Sequence, residues 1–485
     1  MQRFSIDKWF KMKQALIGRE REIELLQEYL RTEKSEFIAV YGRRRVGKTY
    51  FIRHVLGSQA CFSMTGMENA DMGDQLLNFY FSLHMVWPSA THPKSWIEAF
   101  YQLQCYLESL PERRKVVFID ELPWMDTTRS KFIAALERFW NGWADGRSDI
   151  KLIVCGSATS WMIDNIINNR GGLHNRRTHQ IYIAPFTLAE SRCYFKSYGF
   201  GYREKEIAEC YMVMGGVAYY YSLMNPNESV AQNIDRLFFS SNGELTNEFD
   251  NLYRSLFKKA GDHISIVTVL ANKSKGLTRR QILEHSKLNN NAKFTKTLEE
   301  LEKSGFIRSY IPFGETKRDI LFQLTDAFTL FHFHYIKENK YQDEAFWTNS
   351  LNSGKYRAWS GYAFEILCLN HIRQIKQALG ISGIKSRACC WSSKGDDDQK
   401  GAQIDLIIDR ADQTANICEM KFSRSEYEIT KSDATELDNK LEAFIRQTNT
   451  RKSLMLTLIT TFGVKKGKYS GDVQAQLTLD DLFKC

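Results

Sequence analysis

Along this chain, short unbroken apolar runs alternate with stretches whose apolar residues recur every third or fourth position. The first spacing reads as buried strand and the second as amphipathic helix. Phe37–Tyr41 is an apolar run, and KTYFIRHVL after Gly47 has helical spacing. An earlier helix, REIELLQEYL, carries Ile23, Leu25, Leu26, Tyr29 and Leu30 on a face that should pack inward. Val116–Ile119 and Lys151–Cys155 are continuous apolar runs, as expected of central parallel strands buried on both faces. Residues 61–110 are aromatic-rich and helical in places, without evident chemistry. Residues 186–255 read as helices interrupted at Met214-Gly215-Gly216-Val217.

Beyond residue 262 the pattern changes. His263–Ala271, Arg279–His285 and Ala292–Lys303 read as three helices. Gly305-Phe306-Ile307 and Ile320–Leu324 read as a strand pair about the polar turn Gly314–Lys317, the outline of a winged helix-turn-helix. Phe328–Lys340, aromatic and basic, reads as a helix running into a linker. Gly361–Ile372 is an apolar helix with one acid, Glu365. Gln403–Ile408 and Asn416–Phe422 are strands on either side of a turn. The expected organisation is an α/β core over 1–185, a helical lid over 186–258, a winged helix over 259–328, a linker over 329–350 and a second α/β domain over 351–485. A length of 485 residues suits several such domains.

Composition narrows this only slightly. The hydrophobic share of 43%, with 7 Pro and 29 Gly, argues against long disordered stretches. A net charge of +9 permits an anionic partner such as nucleic acid without requiring one. No apolar run approaches membrane-spanning length and no N-terminal segment reads as a signal peptide, so no membrane association is expected. The 10 Cys are scattered, without C-x-x-C spacing, which points to a reduced, cytoplasmic protein with free thiols.

The chemistry concentrates where Phe37–Tyr41 runs into Gly42-Arg43-Arg44-Arg45-Val46-Gly47-Lys48-Thr49. This fits G-x-x-x-x-G-K-[ST] at every fixed position, in the strand–loop–helix context the motif requires. The glycines let backbone N–H groups turn in on a polyphosphate, and the helix beginning at Lys48 adds the positive end of its dipole. Lys48 is placed to reach the β- and γ-phosphates of ATP, and Thr49 to offer its hydroxyl to Mg²⁺. The apolar run 116–119 ends in Asp120-Glu121. Asp120 suits Mg²⁺, through water, and Glu121 suits polarisation of the attacking water. Ser157, just beyond the run 151–155, is either a sensing hydroxyl near the γ-phosphate or the lytic water, or a plain turn serine. Arg176, with Arg177 behind it, suits a charge-stabilising arginine acting in cis or across a subunit interface, where the protein would be a homo-oligomer through its ATPase domain. Both also read as surface charges. Gly18-Arg19-Glu20 reads equally as an adenine-side contact or an ordinary charged helix start.

In the winged helix, Lys287, Lys293 and Lys296, with Lys317 and Arg318 in the wing, suit phosphate contacts to DNA. Glu299, Glu300 and Glu302 dilute the patch, and purely internal packing is an equal reading. In the last domain, Glu419 and Lys421 share a strand face, and a short hairpin can bring Asp405 beside them. Two carboxylates can hold Mg²⁺ against a scissile phosphate, Lys421 can steady the developing charge, and Glu365 can complete the set.

GREREIELL, GRRRVGKT, FIDELPWM, CGSATSWM, NRRTHQIYIAPFTLAE and GGVAYYY follow one another as in the archaeal-type AAA+-related ATPases, close to the STAND and origin-recognition branch. Residues 14–255 resemble that family, which implies ATP hydrolysis with Mg²⁺. Ala218 stands where the family often has Pro. Residues 351–485 resemble the PD-(D/E)XK nuclease core in the variant fused to such ATPases. The fold class so implied is an α/β P-loop NTPase with helical lid, a winged helix-turn-helix and a C-terminal α/β restriction-endonuclease-like domain.

Overall fold

A computed structural model describes residues 16–168, 178–257, 259–339, 342–393 and 401–484. The chain divides into two compact units, one of residues 14–185 and one built from Phe186 onward.

The first unit begins with α1 (Glu20–Arg31), β1 (Glu36–Tyr41) and α2 (Lys48–Leu56). It continues with β2 (Ala60–Thr65), α3 (Met72–His84), α4 (Trp96–Ser109), β3 (Lys115–Asp120), α5 (Phe132–Phe139), β4 (Ile150–Gly156) and β5 (His179–Tyr182). The strands form one parallel sheet in the order β2-β3-β4-β1-β5. Every residue of β3 and β4 is buried, which is why Val116–Ile119 and Leu152–Cys155 are apolar without alternation. The side chains still alternate between two cores. Phe37, Ala39, Val117 and Ile119 pack with Trp96, Phe100, Phe132 and Trp140 on one face. Ile38, Val40, Val116 and Phe118 pack with Leu26, Leu30, Phe51 and Ile52, from α1 and α2, on the other. By this parity Asp120, two residues beyond Phe118, belongs to the face that α2 covers. β2 was not foreseen, because its burial is interrupted at Ser63 and its run is short.

The second unit starts with helices, among them α6 (Leu188–Ser197), α7 (Glu204–Met214) and α8 (Glu248–Leu256). The winged helix-turn-helix outline is present: α9 (Gly261–Ala271), β6 (Leu277–Thr278), α10 (Arg279–Ser286), α11 (Ala292–Lys303), β7 (Ile307–Tyr310) and β8 (Leu321–Leu324). Its three strands pair antiparallel in the order β6-β8-β7.

Within the stretch 329–350, expected as a linker, several described aromatic side chains are buried. α12 (Ala327–His334) buries Phe328, Leu330 and Phe331, and Tyr335, Trp347 and Trp359 are also buried. Their rings interlock at centroid distances of 4.9 Å (Tyr335–Trp347) and 5.2 Å (Trp347–Trp359, Phe331–Trp347). At about 2–3 kcal/mol per large side chain taken out of water, this aromatic cluster holds the segment in place.

After α13 (Gly354–Asn370) come β9 (Ser386–Ser392), β10 (Gln403–Arg410), β11 (Thr414–Lys421), α14 (Lys431–Thr448), β12 (Ser453–Thr460) and β13 (Ala475–Thr478). β9, β10 and β11 form an antiparallel meander, and β12 and β13 extend it in parallel, in the order β13-β12-β11-β10-β9. The connection from β11 to its parallel neighbour β12 is α14, as a parallel crossover demands. The wing of the winged helix packs on this domain. The Phe313 N–H donates to the Cys390 carbonyl at 2.8 Å, and its ring lies 4.9 Å from Phe444. Among the described residues no helix is long and apolar enough to cross a membrane.

Candidate functional site

The loop between β1 and α2 is shaped by backbone constraints. Gly42 has φ 149°, and a Cβ there would sit 2.2 Å from the Ile183 carbonyl oxygen, so no other residue fits. Arg45 and Gly47 also have positive φ, 71° and 91°. Arg43 and Lys48 are buried within the loop, and the Lys48 ammonium donates to the Arg43 carbonyl at 2.9 Å. Arg44 lies 3.6 Å from Glu68 and 6.0 Å from the Trp124 ring, partners that sequence spacing did not reveal. Val46 is buried against the core that α1 and α2 share.

The acidic end of β3 meets this loop as its parity requires. The Thr49 hydroxyl donates to Asp120 Oδ2 at 2.8 Å, and Asp120 Oδ1 accepts from the Glu121 N–H at 3.0 Å. Glu121 leaves the strand in the left-handed region, φ 47° and ψ 48°, a conformation that costs a non-glycine residue on the order of 1 kcal/mol. That turn sends its carboxylate to the end of β4. Glu121 Oε2 accepts from both the Ser157 N–H at 3.1 Å and the Ser157 hydroxyl at 2.8 Å. The structure thus brings Thr49, Asp120, Glu121 and Ser157 into one connected group beside Lys48. A hydroxyl and a carboxylate side by side are the hard oxygen donors Mg²⁺ takes, and a glycine loop entering a helix is a polyphosphate cradle, so the residues fit ATP and Mg²⁺. Arg19 turns inward and donates to the Ala184 carbonyl, which gives it a structural partner. Arg176 and Arg177 lie outside the described residues.

The second predicted constellation also assembles. Leu406 pairs with Cys418 across β10 and β11, so the next pair outward is Asp405 and Glu419 on one face of the sheet. Both line a cleft of about 1200 Å³, with Gln403, Lys431, Lys440 and Arg446. Glu419 is clamped: Lys421 lies 2.8 Å from Oε1 and Lys440 3.0 Å from Oε2. Lys440 also reaches Glu436 at 2.9 Å. Asp405 accepts from the Gln403 amide, and burial, with Glu419 adding, raises its carboxyl above the usual range. Glu365 on α13 is pushed up to about 9, by burial first and then by Asp405 and Glu419. Among the described residues no group of three or more His, Cys, Asp or Glu is arranged to hold a metal. Lys440, Gln403 and Arg446 were missed in the sequence. The available signal was the polar stripe Ser432, Thr435, Glu436, Asn439, Lys440 at helical spacing along α14.

The winged-helix cations are only partly free. Lys293 lies 2.5 Å from Asp262 and Lys296 3.9 Å from Glu300, while Lys317 and Arg318 are exposed.

No family model matches the sequence. An uncharacterised protein of Methanocaldococcus jannaschii is 23% identical over 413 residues, covering 84% of this chain and 87% of that one. The chain is also similar to solved structures. The Walker-type ATPase of Pyrococcus abyssi is 16% identical over 65% of this chain and 95% of that chain, with a TM-score of 0.44. The ORC2 protein of Aeropyrum pernix is 12% identical over 64% and 90%, with a TM-score of 0.38. RuvB of Thermotoga maritima is 14% identical over 63% and 92%, with a TM-score of 0.33.

Proposed function

We propose that this protein binds and hydrolyses ATP as an AAA+-type ATPase, and that its second unit carries a Mg²⁺-dependent nuclease-like site for nucleic acid, with DNA as the expected substrate. The observation that carries the ATPase reading is the linked group Thr49–Asp120–Glu121–Ser157 set against a glycine loop. Loop N–H groups and Lys48 hold the phosphates. Thr49, and Asp120 through water, would hold Mg²⁺, which would neutralise phosphate charge. Glu121 orients and deprotonates the attacking water, and Ser157 fixes which way that carboxylate points. Arg176 is the candidate for stabilising the transferring phosphoryl group, within the chain or between copies of a homo-oligomer. The test is ATP hydrolysis by Lys48→Ala, which should be abolished; unchanged turnover would end the ATPase assignment.

The nuclease-like reading rests on Asp405 facing Glu419 across the hairpin with Lys421 beside them, on a meander followed by a crossover helix and a parallel strand. Asp405 and Glu419 would hold Mg²⁺, Lys421 would steady charge on the scissile phosphate, and Glu365, kept protonated, would bound the site from α13. One observation favours a second reading, a regulatory ATP switch whose nuclease-like domain only binds nucleic acid or protein: both oxygens of Glu419 are taken by lysines. Cleavage of DNA with Mg²⁺ or Mn²⁺, lost in Glu419→Ala, supports the first reading, and no cleavage under any of these conditions supports the second. The described cysteines are free thiols, in keeping with the cytoplasmic location proposed.

A further inference from the structure

A second cavity in the Phe186-onward unit shares no lining residue with the acidic cleft. It encloses about 510 Å³, within the usual range for small-molecule sites. Trp347, and Tyr356 on α13, form its floor, buried at 2% and 6% exposure, and Phe422 just past β11 is its half-buried ring. Three cations also line it, Lys205 on α7, Arg357 on α13 and Arg424. Their pairing is unequal. Lys205 is matched by Glu209 at 2.7 Å, and the same carboxylate accepts from the Tyr356 hydroxyl at 3.2 Å. The Arg424 guanidinium meets only neutral acceptors, the Leu351 carbonyl at 2.9 Å and Asn352 Oδ1 at 3.0 Å. Arg357 meets only the Asn352 carbonyl, at 3.4 Å. Among the described residues no carboxylate pairs with either arginine; the Glu209 carboxylate, also in the lining, is taken by Lys205 and Tyr356.

Guanidinium forks match phosphate oxygens two at a time, and aromatic faces accept any nucleobase. We infer that this cavity binds a nucleoside phosphate, with the base against Phe422 and the phosphate on Arg357 and Arg424. The ligand is a free mononucleotide or the 5′-phosphorylated end of a nucleic-acid strand. The inference is independent of the phosphate loop and of the acidic cleft. Phe422 and Arg424 directly follow the strand that carries Glu419 and Lys421.

The test uses the full chain carrying Lys48→Ala, so that the phosphate loop contributes little. Calorimetry with AMP, a 5′-phosphorylated tetrathymidylate and inorganic phosphate reads the site. Binding of AMP or the oligonucleotide is expected, weakened at least about tenfold by Arg357→Ala with Arg424→Ala, the loss of charge-assisted hydrogen bonds. Phe422→Leu should weaken the same two probes. Tighter binding of AMP identifies a free nucleotide, and tighter binding of the oligonucleotide identifies a strand end. Binding of neither at millimolar concentration, affinity unchanged in the arginine variant, or inorganic phosphate binding as tightly as both would overturn the inference.

Discussion

Ser157 donates twice to one oxygen of Glu121, which makes the pair a sharp test of how the nucleotide site works. If Ser157 acts through Glu121, Ser157→Ala removes one hydrogen bond to a carboxylate and leaves the backbone N–H in place. A hydrogen bond to a charged group contributes about 1.5–3 kcal/mol, so hydrolysis of bound ATP should slow by about 10- to 150-fold. ATP affinity should hold, because no phosphate contact is lost. Glu121→Gln keeps the acceptor oxygen for Ser157 but loses the base, which costs about 10²–10⁴-fold. With Glu121 already neutralised, Ser157 has little left to orient, and the double variant should be no slower than Glu121→Gln alone. Such non-additivity is the signature of residues acting as one unit. Single-turnover hydrolysis, with nucleotide affinity measured separately, gives all the terms. Additive losses in the double variant, or an affinity loss in Ser157→Ala with unchanged turnover of bound ATP, would refute the reasoning and return Ser157 to the γ-phosphate-sensing role.

Three further outcomes are expected. Glu365 is raised to about 9, so the folded state holds a proton that the unfolded chain releases near its ordinary value; stability is lost as pH rises between the two. Glu365→Gln should therefore match the parent's melting midpoint near about pH 5 and exceed it increasingly toward about pH 9, and a parallel pH profile would contradict this. Lys440→Ala frees one oxygen of Glu419, so Mn²⁺ binding followed by electron paramagnetic resonance should tighten, whereas weaker binding would make Lys440 a support of the site rather than a competitor. If α11 grips DNA phosphates, Lys293→Ala with Lys296→Ala should lower the salt slope of binding by about one unit per lost contact. An unchanged slope would leave the winged helix to internal packing, the role the Phe313 contact already shows for its wing.

The sequence by itself determined what is contiguous. The glycine loop was legible because its glycines, lysine and threonine lie in one stretch, with a strand before it and a helix after it. Asp120-Glu121 was legible because Val116–Ile119, buried on both faces, is an unbroken apolar run, so its acidic end stands out. The facing of Asp405 and Glu419 followed from hairpin parity, a local rule. Tertiary structure decided what links distant segments. That β4 lies between β1 and β3 is a matter of chain crossing, which no local pattern encodes. Ser157 serves Glu121 only because parallel neighbours end side by side, and Lys440 clamps Glu419 only because the crossover helix lies over β11. Phe328, Phe331, Tyr335, Trp347 and Trp359 gave no local sign of burial because it depends on rings supplied by separate elements.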